Sequence, residues 1–494
     1  MVYFEKKPYL NYLVVVILGI LYTASFAPYN FKLSIYFSLT LFFYILFHSD
    51  KTRSIYLSYL FGLSVFSFGT SWIFNSLYDY GGENLIASLL VTIFLISFMS
   101  IFFIPLGMVV NKDIDIKKKF NFLMPASILV LMEIIRSNIF GGFPWLLIGT
   151  SQIGTIFNEF YPLFGTYFVS FLVILISFLI TIIMIKKNTI KYFFILFFIF
   201  LSTSIVNFVE YDWSTDRKIK NNITIIQPNV NQRLKFNNNE IKAIKNKYVE
   251  IFKKDSLHDT ILLPETAIPT IYENDKSFYK KHLLPYANHI IGGVFRYNNV
   301  TNETFNSILV LNGEEQFYDK RHLVPFGEYI PFKNLFIRII EIFNIPMSNL
   351  SHGKQHQPRI SFDDIFIEPL ICYESAYPEL IQTTDTEFSI IVNISNDAWF
   401  GNSLAPYQHL QISQSRALEF QRYLIRSANT GISAVINKKG KIVDSIPLNH
   451  EGTLNASIIS SKGKTPYRYF GDYPVLMLIF SIMFFYFFTS NKYG

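Results

Sequence analysis

Eight long apolar segments constrain the fold of this chain more than any other feature of its sequence. Each approaches the length that a helix needs to cross a bilayer core, which is about 20 apolar residues. The chain is 51% apolar and only 16% charged, which favours a membrane protein over a soluble protein with buried helices. We therefore predict a multi-pass α-helical membrane domain of about eight spans, seven in 1–209 and one in 473–494. The segments are 9–27, 31–48, 54–75, 84–110, 121–139, 160–185, 190–209 and 473–490.

The positively charged residues predict the orientation of these segments. Lysine and arginine cluster in alternate breaks and at both ends of the chain: Lys6, Lys7, Lys51, Arg53, Lys112, Lys117, Lys118, Lys119, Lys186, Lys187, Lys191 and Lys492. The intervening breaks offer only Lys32 and Arg136. Because positive loops stay in the cytoplasm, both termini are predicted to be cytoplasmic and 210–472 to lie outside it. These clusters account for the net charge of +7, so nucleic acid is not an expected partner.

Residues 210–472 have the charge and turn residues of a soluble domain. Short apolar, β-branched runs predict strands at 222–227, 260–266, 289–295, 305–313, 365–373 and 388–397. Helices are predicted at 239–254 and 406–424, and a hairpin at 433–443. Early alternation of strands and helices, followed by antiparallel strands, favours a mixed α/β layered domain. The segment has no glycine-rich phosphate loop and no zinc-ligand spacing, so neither a metal nor an organic cofactor is expected.

Cys372 is the only cysteine of the chain, which excludes an internal disulfide. It ends the apolar run of "EPLICYES", where a strand would carry it to the edge of a sheet. A thiol in that position is a candidate nucleophile if a neighbouring base removes its proton. The alternative is a small core residue, because free cysteines are often buried.

Two other strand ends carry candidate partners for this thiol. Glu265 follows apolar residues in "LLPETAIP", where partial burial would raise its pKa toward that of a useful base. Lys320, in "YDKRHLVPFGEYIP", would favour a thiolate and neutralise an oxyanion. Taken singly, the alternatives are an exposed turn acid and a solvated surface lysine. His322 is an alternative base in a Cys–His dyad, although its own stretch offers no orienting acid.

Together these stretches resemble a known constellation. "PETAIP", "YDKRHLVPFGEYIP" and "ICYES", in that order, resemble the Glu–Lys–Cys triad of the nitrilase superfamily. An extracytoplasmic domain of this kind between seven spans and an eighth is similar to the apolipoprotein N-acyltransferase family. "FGGFPWLLIGTSQ", "SNDAWFG" and "RSANTGISAVI" are also similar to stretches of that family. The resemblance covers essentially the whole chain.

The resemblance implies a nitrilase-like αββα sandwich at 210–472 and a role for each matching residue. Cys372 would be the nucleophile, Glu265 the general base and Lys320 the oxyanion stabiliser. The residues expected to support the site or bind substrate are Glu328, Tyr373, Glu374, Phe236, Asn306 and Trp399. Glu328 and Glu374 would be carboxylates around Lys320 and the thiol. Phe236 departs from the family, which is expected to have tryptophan there, so an indole hydrogen bond is lost.

The resemblance also implies the reaction. A phospholipid would donate its sn-1 acyl chain to Cys372, and a diacylglyceryl apolipoprotein would receive that chain on its N-terminal amine, in ping-pong order. No cofactor is needed, because the donor is already an ester. The expected location is a bacterial inner membrane, with a monomeric protein whose catalytic domain lies on the periplasmic face.

Two other functions remain as alternatives at this stage. One is a membrane-tethered amidase, in which water attacks the thioester, although a tether needs only one span. The other is a transporter or receptor, for which intramembrane charges would be evidence; Glu133 and Arg136 are the main ones, and they could pair. Two segments also carry structural hypotheses. Residues 138–152 form a re-entrant or interfacial segment or an ordinary loop, and 332–350 form a membrane-touching lid or a core helix.

Overall fold

The computed structural model describes most of the chain and divides it into two compact units. The described residues are 8–82, 84–114, 120–186, 189–237, 239–254, 259–325, 327–329 and 350–490. The first unit comprises 1–73, 88–211 and 469–494, and the second comprises 74–87 and 212–468. Residues 74–87 therefore cluster with the second unit, although they precede the predicted domain boundary at 209. The predicted lid at 332–350 lies outside the described residues, apart from its last residue.

The apolar segments are helical, as predicted. The α-helices in these segments are Pro8–Thr23, Ser34–Phe47, Lys51–Thr70, Trp72–Asn75, Leu85–Ser100, Ile104–Val109, Met124–Asn138, Tyr161–Ile185, Ile190–Val209 and Tyr473–Ser490. Short 3₁₀ turns extend some of them into longer runs. Among the described residues, four runs are long and apolar enough to cross a membrane: Leu85–Val109, Asn121–Gly141, Asn158–Ile185 and Ile190–Val209.

The remaining apolar helices leave the number of spans a prediction. Lys51–Thr70 and Trp72–Tyr80 meet at 48° and add a fifth span if they cross together. Three apolar helices are shorter, namely Tyr9–Thr23, Ser34–Phe47 and Tyr473–Tyr486. An α-helix rises 1.5 Å per residue, so these three described stretches fall short of a full hydrocarbon core.

Two buried charges shape the loop at 138–152 in the first unit. Arg136 Nη1 donates to the carbonyl oxygens of Phe143 and Trp145, at 2.7 Å each. Glu133 Oε1 accepts from the backbone N–H of Ile148 at 2.8 Å. Each side chain thus satisfies loop backbone that would otherwise be unpaired in an apolar environment. Trp145 is buried within the unit, at 1% exposure, so it packs against protein.

The second unit is built on two β-sheets. Its strands are β1 (Thr215–Asp216), β2 (Asn221–Gln227), β3 (Thr260–Leu262), β4 (His289–Asn298), β5 (Glu303–Leu311), β6 (Glu315–Asp319), β7 (Ser361–Phe362), β8 (Ile365–Ile371), β9 (Ser389–Ser395), β10 (Leu424–Ala428), β11 (Ser433–Ile436), β12 (Ile442–Ile446), β13 (Gly452–Ile458) and β14 (Ser461–Lys462). In the described residues, one sheet has the order β13-β2-β3-β4-β5-β6. The other runs β1-β14-β9-β10-β11-β12, with β8 between β7 and β9.

The two sheets enclose an apolar core and carry helices on their outer faces. Branched residues such as Ile225 and Ile308 of one sheet pack with Ile371 and Val392 of the other in a single buried cluster. Helices Ile241–Phe252 and Tyr272–Phe278 cover the outer face of the first sheet. Helix Ala405–Phe420 packs beside β10 of the second sheet. This is the predicted αββα sandwich.

One element boundary differs from the sequence prediction. The helix predicted at 406–424 ends at Phe420, because Gln421 adopts a left-handed backbone with φ of 45°. The chain then enters β10 at Leu424, which pairs in parallel with β9. A positive φ on a non-glycine residue has no strong sequence signal, so the short break between helix and strand was missed.

Candidate active site

The three predicted catalytic residues lie just beyond strand ends of the sandwich. Glu265 follows β3 and Lys320 follows β6, both in the first sheet. Cys372 follows β8 in the second sheet. The structure brings the three into one electrostatic cluster, since both Glu265 and Lys320 act on the thiol of Cys372. The apolar strands therefore supply rigid supports, and the polar residues occupy their ends.

Glu265, Lys320 and Glu328 form a buried charge cluster with Asn306. Lys320 Nζ lies 2.9 Å from Glu328 Oε1 and 3.8 Å from Glu265 Oε1. Asn306 Nδ2 donates to Glu265 Oε1 at 2.7 Å and to Glu328 Oε1 at 3.2 Å. Glu328 Oε2 also accepts from the backbone N–H of Val324. Because Lys320 is 1% exposed and Glu265 7% exposed, this cluster is neither a surface lysine nor an exposed turn acid.

Burial and charge set the protonation tendencies of this cluster. Burial raises the pKa of Glu265; Lys320 opposes the shift, Glu328 adds to it, and the Asn306 hydrogen bond lowers it. Burial opposes the charged form of Lys320, but the charges of Glu328 and Glu265 outweigh it and raise its pKa. Glu265 is thus a stronger base than an ordinary carboxylate, while Lys320 stays cationic.

Cys372 is half-buried and has a strained backbone. Its φ is 52°, in the left-handed region, which costs an ordinary residue roughly 1–2 kcal/mol. It opens the 3₁₀ turn Cys372–Ala376, directly after β8. Burial raises the pKa of its thiol to about 12; Glu265 adds to this shift and Lys320 opposes it. The free thiol is therefore protonated at neutral pH, and attack requires a base that takes its proton.

Glu374 feels the charge of Lys320, as expected of a carboxylate near it, and also joins two segments of the site. Its carboxylate, fully buried, accepts from Tyr318 Oη and from the backbone N–H groups of Arg321 and His322, at 2.7–3.0 Å. Its second oxygen accepts from the N–H of Ile371 at 2.8 Å. Glu374 thus ties the loop that follows Lys320 to the strand that precedes Cys372.

The remaining predicted residues lie around this cluster. The His322 ring stacks on the Tyr377 ring with 3.6 Å between their centroids, and the Tyr373 ring centroid lies 5.9 Å from that of His322. The structure therefore places His322 in an aromatic stack. Phe236 is 49% exposed, with its ring 6.5 Å from that of Phe295. Trp399 is 39% exposed, so both aromatic side chains leave apolar surface available to a ligand.

Sequence reasoning missed a second buried cluster beside Cys372. Cys372, Asp397 and His409 have ligand atoms within 4.8 Å of one another, which is the pattern of a metal site. Arg426 Nη2, however, lies 2.7 Å from Asp397 Oδ2 and 2.9 Å from His409 Nδ1. A guanidinium there already compensates the carboxylate, so the residues fit an ion-paired network better than a metal site.

Two further residues next to Glu265 also escaped notice. Lys235 Nζ donates to the Glu265 carbonyl at 3.1 Å, and burial lowers the pKa of this lysine to about 8. Gly293 of β4 accepts from Ala267 and donates to Pro264, on either side of Glu265. Lys235 stands in "LKF" and Gly293 in "IIGGVF". Nothing in the sequence around either residue indicates that it lies next to Glu265.

Comparisons with known proteins match both units. The apolipoprotein N-acyltransferase N-terminal domain matches residues 18–179, and the carbon-nitrogen hydrolase family matches residues 241–466. The second match identifies the sandwich domain as a carbon-nitrogen hydrolase domain. An apolipoprotein N-acyltransferase from Coxiella burnetii is 33% identical over 95% of this chain and 98% of its own length. One from Photobacterium profundum is 33% identical over 92% of this chain and 90% of its own. The chain belongs to the apolipoprotein N-acyltransferase family.

A solved CN-hydrolase superfamily protein from Xanthomonas campestris is similar to part of this chain. It aligns with 49% of this chain and 91% of its own length, at 18% identity and a TM-score of 0.35.

Proposed function

We propose that this protein transfers a fatty acyl chain from a phospholipid to the N-terminal α-amine of a diacylglyceryl-cysteine in apolipoproteins, through a thioester on Cys372. Membership of the family supports the N-acyltransferase activity. The observation that carries the chemistry is a protonated thiol next to a buried carboxylate of raised pKa and a buried cationic lysine. That combination provides a nucleophile, a base and a fixed positive charge.

The first half-reaction forms the thioester. Glu265 takes the proton of Cys372, and the sulfur attacks an ester carbonyl of the phospholipid, by resemblance at sn-1. The developing oxyanion is stabilised by Lys320, whose ammonium is fixed by Glu328 at 2.9 Å. The carbon–oxygen ester bond breaks, and the lysophospholipid leaves with the proton that Glu265 holds. An acyl thioester remains on Cys372.

The second half-reaction transfers the acyl chain to nitrogen. The free α-amine of the diacylglyceryl-cysteine attacks the thioester carbonyl, and Glu265 removes the proton from this nitrogen. The carbon–sulfur bond breaks, an amide forms, and Cys372 leaves as a thiol with the proton that Glu265 took from the amine. Glu265 therefore acts twice, and the enzyme returns to its starting protonation state.

Both substrates are lipids, which fits a catalytic domain attached to apolar helices. We propose that the protein lies in a bacterial inner membrane, with both termini cytoplasmic and the second unit on the periplasmic face; the lysine and arginine distribution supports this orientation. The exposed side chains of Phe236 and Trp399 are the proposed contacts for acyl chains. A monomer is sufficient for this chemistry.

The test is intact-protein mass spectrometry after incubation with phospholipid alone. We expect the wild type to gain the mass of one acyl chain, removable by hydroxylamine, and Cys372→Ala to gain nothing. A diacylglyceryl peptide added afterwards should remove the adduct and become N-acylated. If no adduct forms while short amides are hydrolysed, the amidase hypothesis replaces this one. If neither reaction occurs, the acyltransferase proposal is wrong.

A further inference from the structure

The polar cluster beside Cys372 is unusually well buried for charged residues. Asp397 follows β9, His409 lies on helix Ala405–Phe420, and Arg426 lies on β10. All three are at most 1% exposed. Burying such groups is unfavourable unless every one is hydrogen-bonded, so the convergence of three elements needs a reason. The proposed reaction does not use these residues directly.

The cluster is a chain of hydrogen bonds that ends on the nucleophile. Arg426 and the hydroxyl of Ser395 both donate to Asp397, at 2.7 Å each. Asp397 Oδ1 lies 2.9 Å from His409 Nδ1. The other ring nitrogen, Nε2, lies 3.0 Å from the carbonyl oxygen of Cys372 and 2.9 Å from Ser375 Oγ. The ring of His409 is therefore held from one side and touches Cys372 with the other.

The hydrogen-bond partners assign the proton on the His409 ring. The Cys372 carbonyl is only an acceptor, so Nε2 must carry the proton that joins them. Nδ1 lies 2.9 Å from two groups, Asp397 Oδ1, which only accepts, and Arg426 Nη2, which only donates, so Nδ1 has a partner whether or not it carries a proton. Burial and the charge of Arg426 lower the pKa of His409, in agreement with a neutral ring. The Cys372 carbonyl thus assigns the proton to Nε2, and Ser375 Oγ, which can accept or donate, is compatible with it.

Cys372 needs this contact because of its backbone. A non-glycine residue at φ 52° relaxes unless its surroundings hold it. Glu374 holds the N–H of Ile371, on the strand side of Cys372. His409 holds the carbonyl of Cys372, on the other side. The strained residue is thus clamped at both ends, which fixes the direction of its side chain.

We propose that His409 is a positioning residue for Cys372: its Nε2–H, oriented by Asp397 and Arg426, clamps the Cys372 carbonyl so that the thiol faces Glu265 and Lys320. The rate measurement that tests this proposal rests on the proposed acyl transfer, whereas the positioning role itself does not. It assigns no bond-making step to His409.

Two substitutions separate this role from a general packing role. In His409→Gln, the longer amide can still donate to the Cys372 carbonyl. In His409→Asn, the shorter amide can reach Asp397 but not the Cys372 carbonyl. Asp397 keeps Arg426 and Ser395 in both variants, so no buried charge is left unpaired. Ser413→Ala is the matched control, because Ser413 is buried on the same helix and its hydroxyl bonds to the backbone carbonyl of His409, so the substitution leaves the contacts of the ring in place.

The first measurement is the rate of thioester formation as a function of phospholipid concentration. Misplacing a reacting group by about 1 Å costs on the order of 100-fold in rate. We expect His409→Ala and His409→Asn to lose about that factor in the saturating rate, with the half-saturating concentration unchanged. His409→Gln should recover at least about tenfold over His409→Asn, and Ser413→Ala should match the wild type. Equal rates for the Gln and Asn variants would overturn the proposal.

The second measurement is the alkylation rate of the sole cysteine by iodoacetamide, followed by mass spectrometry. It needs no lipid, so it stays informative if the acyltransferase proposal fails. Burial and the charge of Glu265 raise the pKa of the thiol more than Lys320 lowers it, so a thiol that moves out of this site is ionised more readily, and His409→Asn should be alkylated faster than His409→Gln. Wild-type alkylation rates in both variants would contradict the clamp, whatever the wild type does with phospholipid.

Discussion

Asn306 shows how one neutral side chain tunes the proposed base. Its Nδ2 donates to two carboxylates, Glu265 and Glu328, that lie on either side of Lys320. The hydrogen bond lowers the pKa of Glu265 while burial raises it. The amide therefore keeps two negative groups close together without adding a charge of its own. An acid in its place would remove the donor and add a third carboxylate.

We predict that Asn306→Asp shifts the acid limb of the pH–rate profile of thioester formation to higher pH. Glu265 must be ionised to take the thiol proton, so the rate falls as pH drops through its pKa. The substitution raises that pKa further, and the fall begins at a pH higher by about one unit. The measurement is the initial rate of adduct formation between pH 5 and 9. An acid limb that stays in place or moves downward would refute this account of Asn306.

The matched control carries the same charge change away from the site. Asn299 lies in the exposed turn after β4, so Asn299→Asp should leave the profile where the wild type has it. Solvent screens a surface carboxylate at that position.

At the scale of elements, the approach of β4 to the Glu265 loop depends on one residue without a side chain. A Cβ on Gly293 would lie 2.4 Å from the Thr266 nitrogen and 2.5 Å from the Glu265 Cα. Both are backbone atoms, so neither can swing aside. The backbone hydrogen bonds between Gly293 and the loop hold it at this distance. Strand β4 thus fixes the position of the backbone that carries Glu265.

We predict that Gly293→Ala destabilises the protein by roughly 1–3 kcal/mol and lowers the rate of acyl transfer more than this loss of stability explains. The added methyl group must push Glu265 away from Lys320 and Asn306. Thermal unfolding in detergent and the thioester assay together measure both effects. Gly452→Ala on β13 is the control, since a Cβ there meets only Ile446, at 3.4 Å. Similar losses in the two variants would show that the contact with the Glu265 loop has no special importance.

At the scale of the whole molecule, the chain leaves the first unit twice. Residues 74–87 and 212–468 form the second unit, although more than 100 residues separate them. Within that unit, Ser76–Tyr80 contacts the turn Asp397–Phe400 that carries Trp399. The break between the third and fourth apolar segments thus belongs to the catalytic unit by its packing. We therefore expect both pieces to lie on the same side of the membrane.

We predict that single cysteines introduced into Cys372→Ala will report this arrangement. Val300→Cys, in a turn of the second unit that is 93% exposed, should react with a membrane-impermeant maleimide in spheroplasts. Lys51→Cys, in a positively charged break, should react only after the membrane is opened, because such breaks remain in the cytoplasm. Gly82→Cys, in the 74–87 segment, should behave as Val300→Cys does. The opposite labelling pattern would invert the proposed topology.

Particular residues show how much of the candidate site can be predicted from the sequence. The order and strand-end setting of Glu265, Lys320 and Cys372 predicted a common site, and the structure brings them together. The family-like stretches "SNDAWFG" and "RSANTGISAVI" contain Asp397 and Arg426, and His409 lies between them. No role for these three residues could be predicted from the sequence. Their significance lies in distances between separate elements, and a linear pattern does not carry those distances. Glu374 was expected near Lys320, whose charge does act on it. Its hydrogen bonds come from the Tyr318 hydroxyl and from backbone groups, which only the folded loops bring into reach.

The sequence by itself determined the division into apolar helices and a layered α/β domain, the alternating charge of the breaks and the choice of candidate catalytic residues. These properties depend on local periodicity, composition and motif order, which folding does not alter. The tertiary structure alone decided the strain at Cys372, the two-sided clamp by Glu374 and His409, and the contact of Gly293 with Glu265. Each arises where chain segments far apart in sequence meet, and such packing is fixed only when the whole core forms.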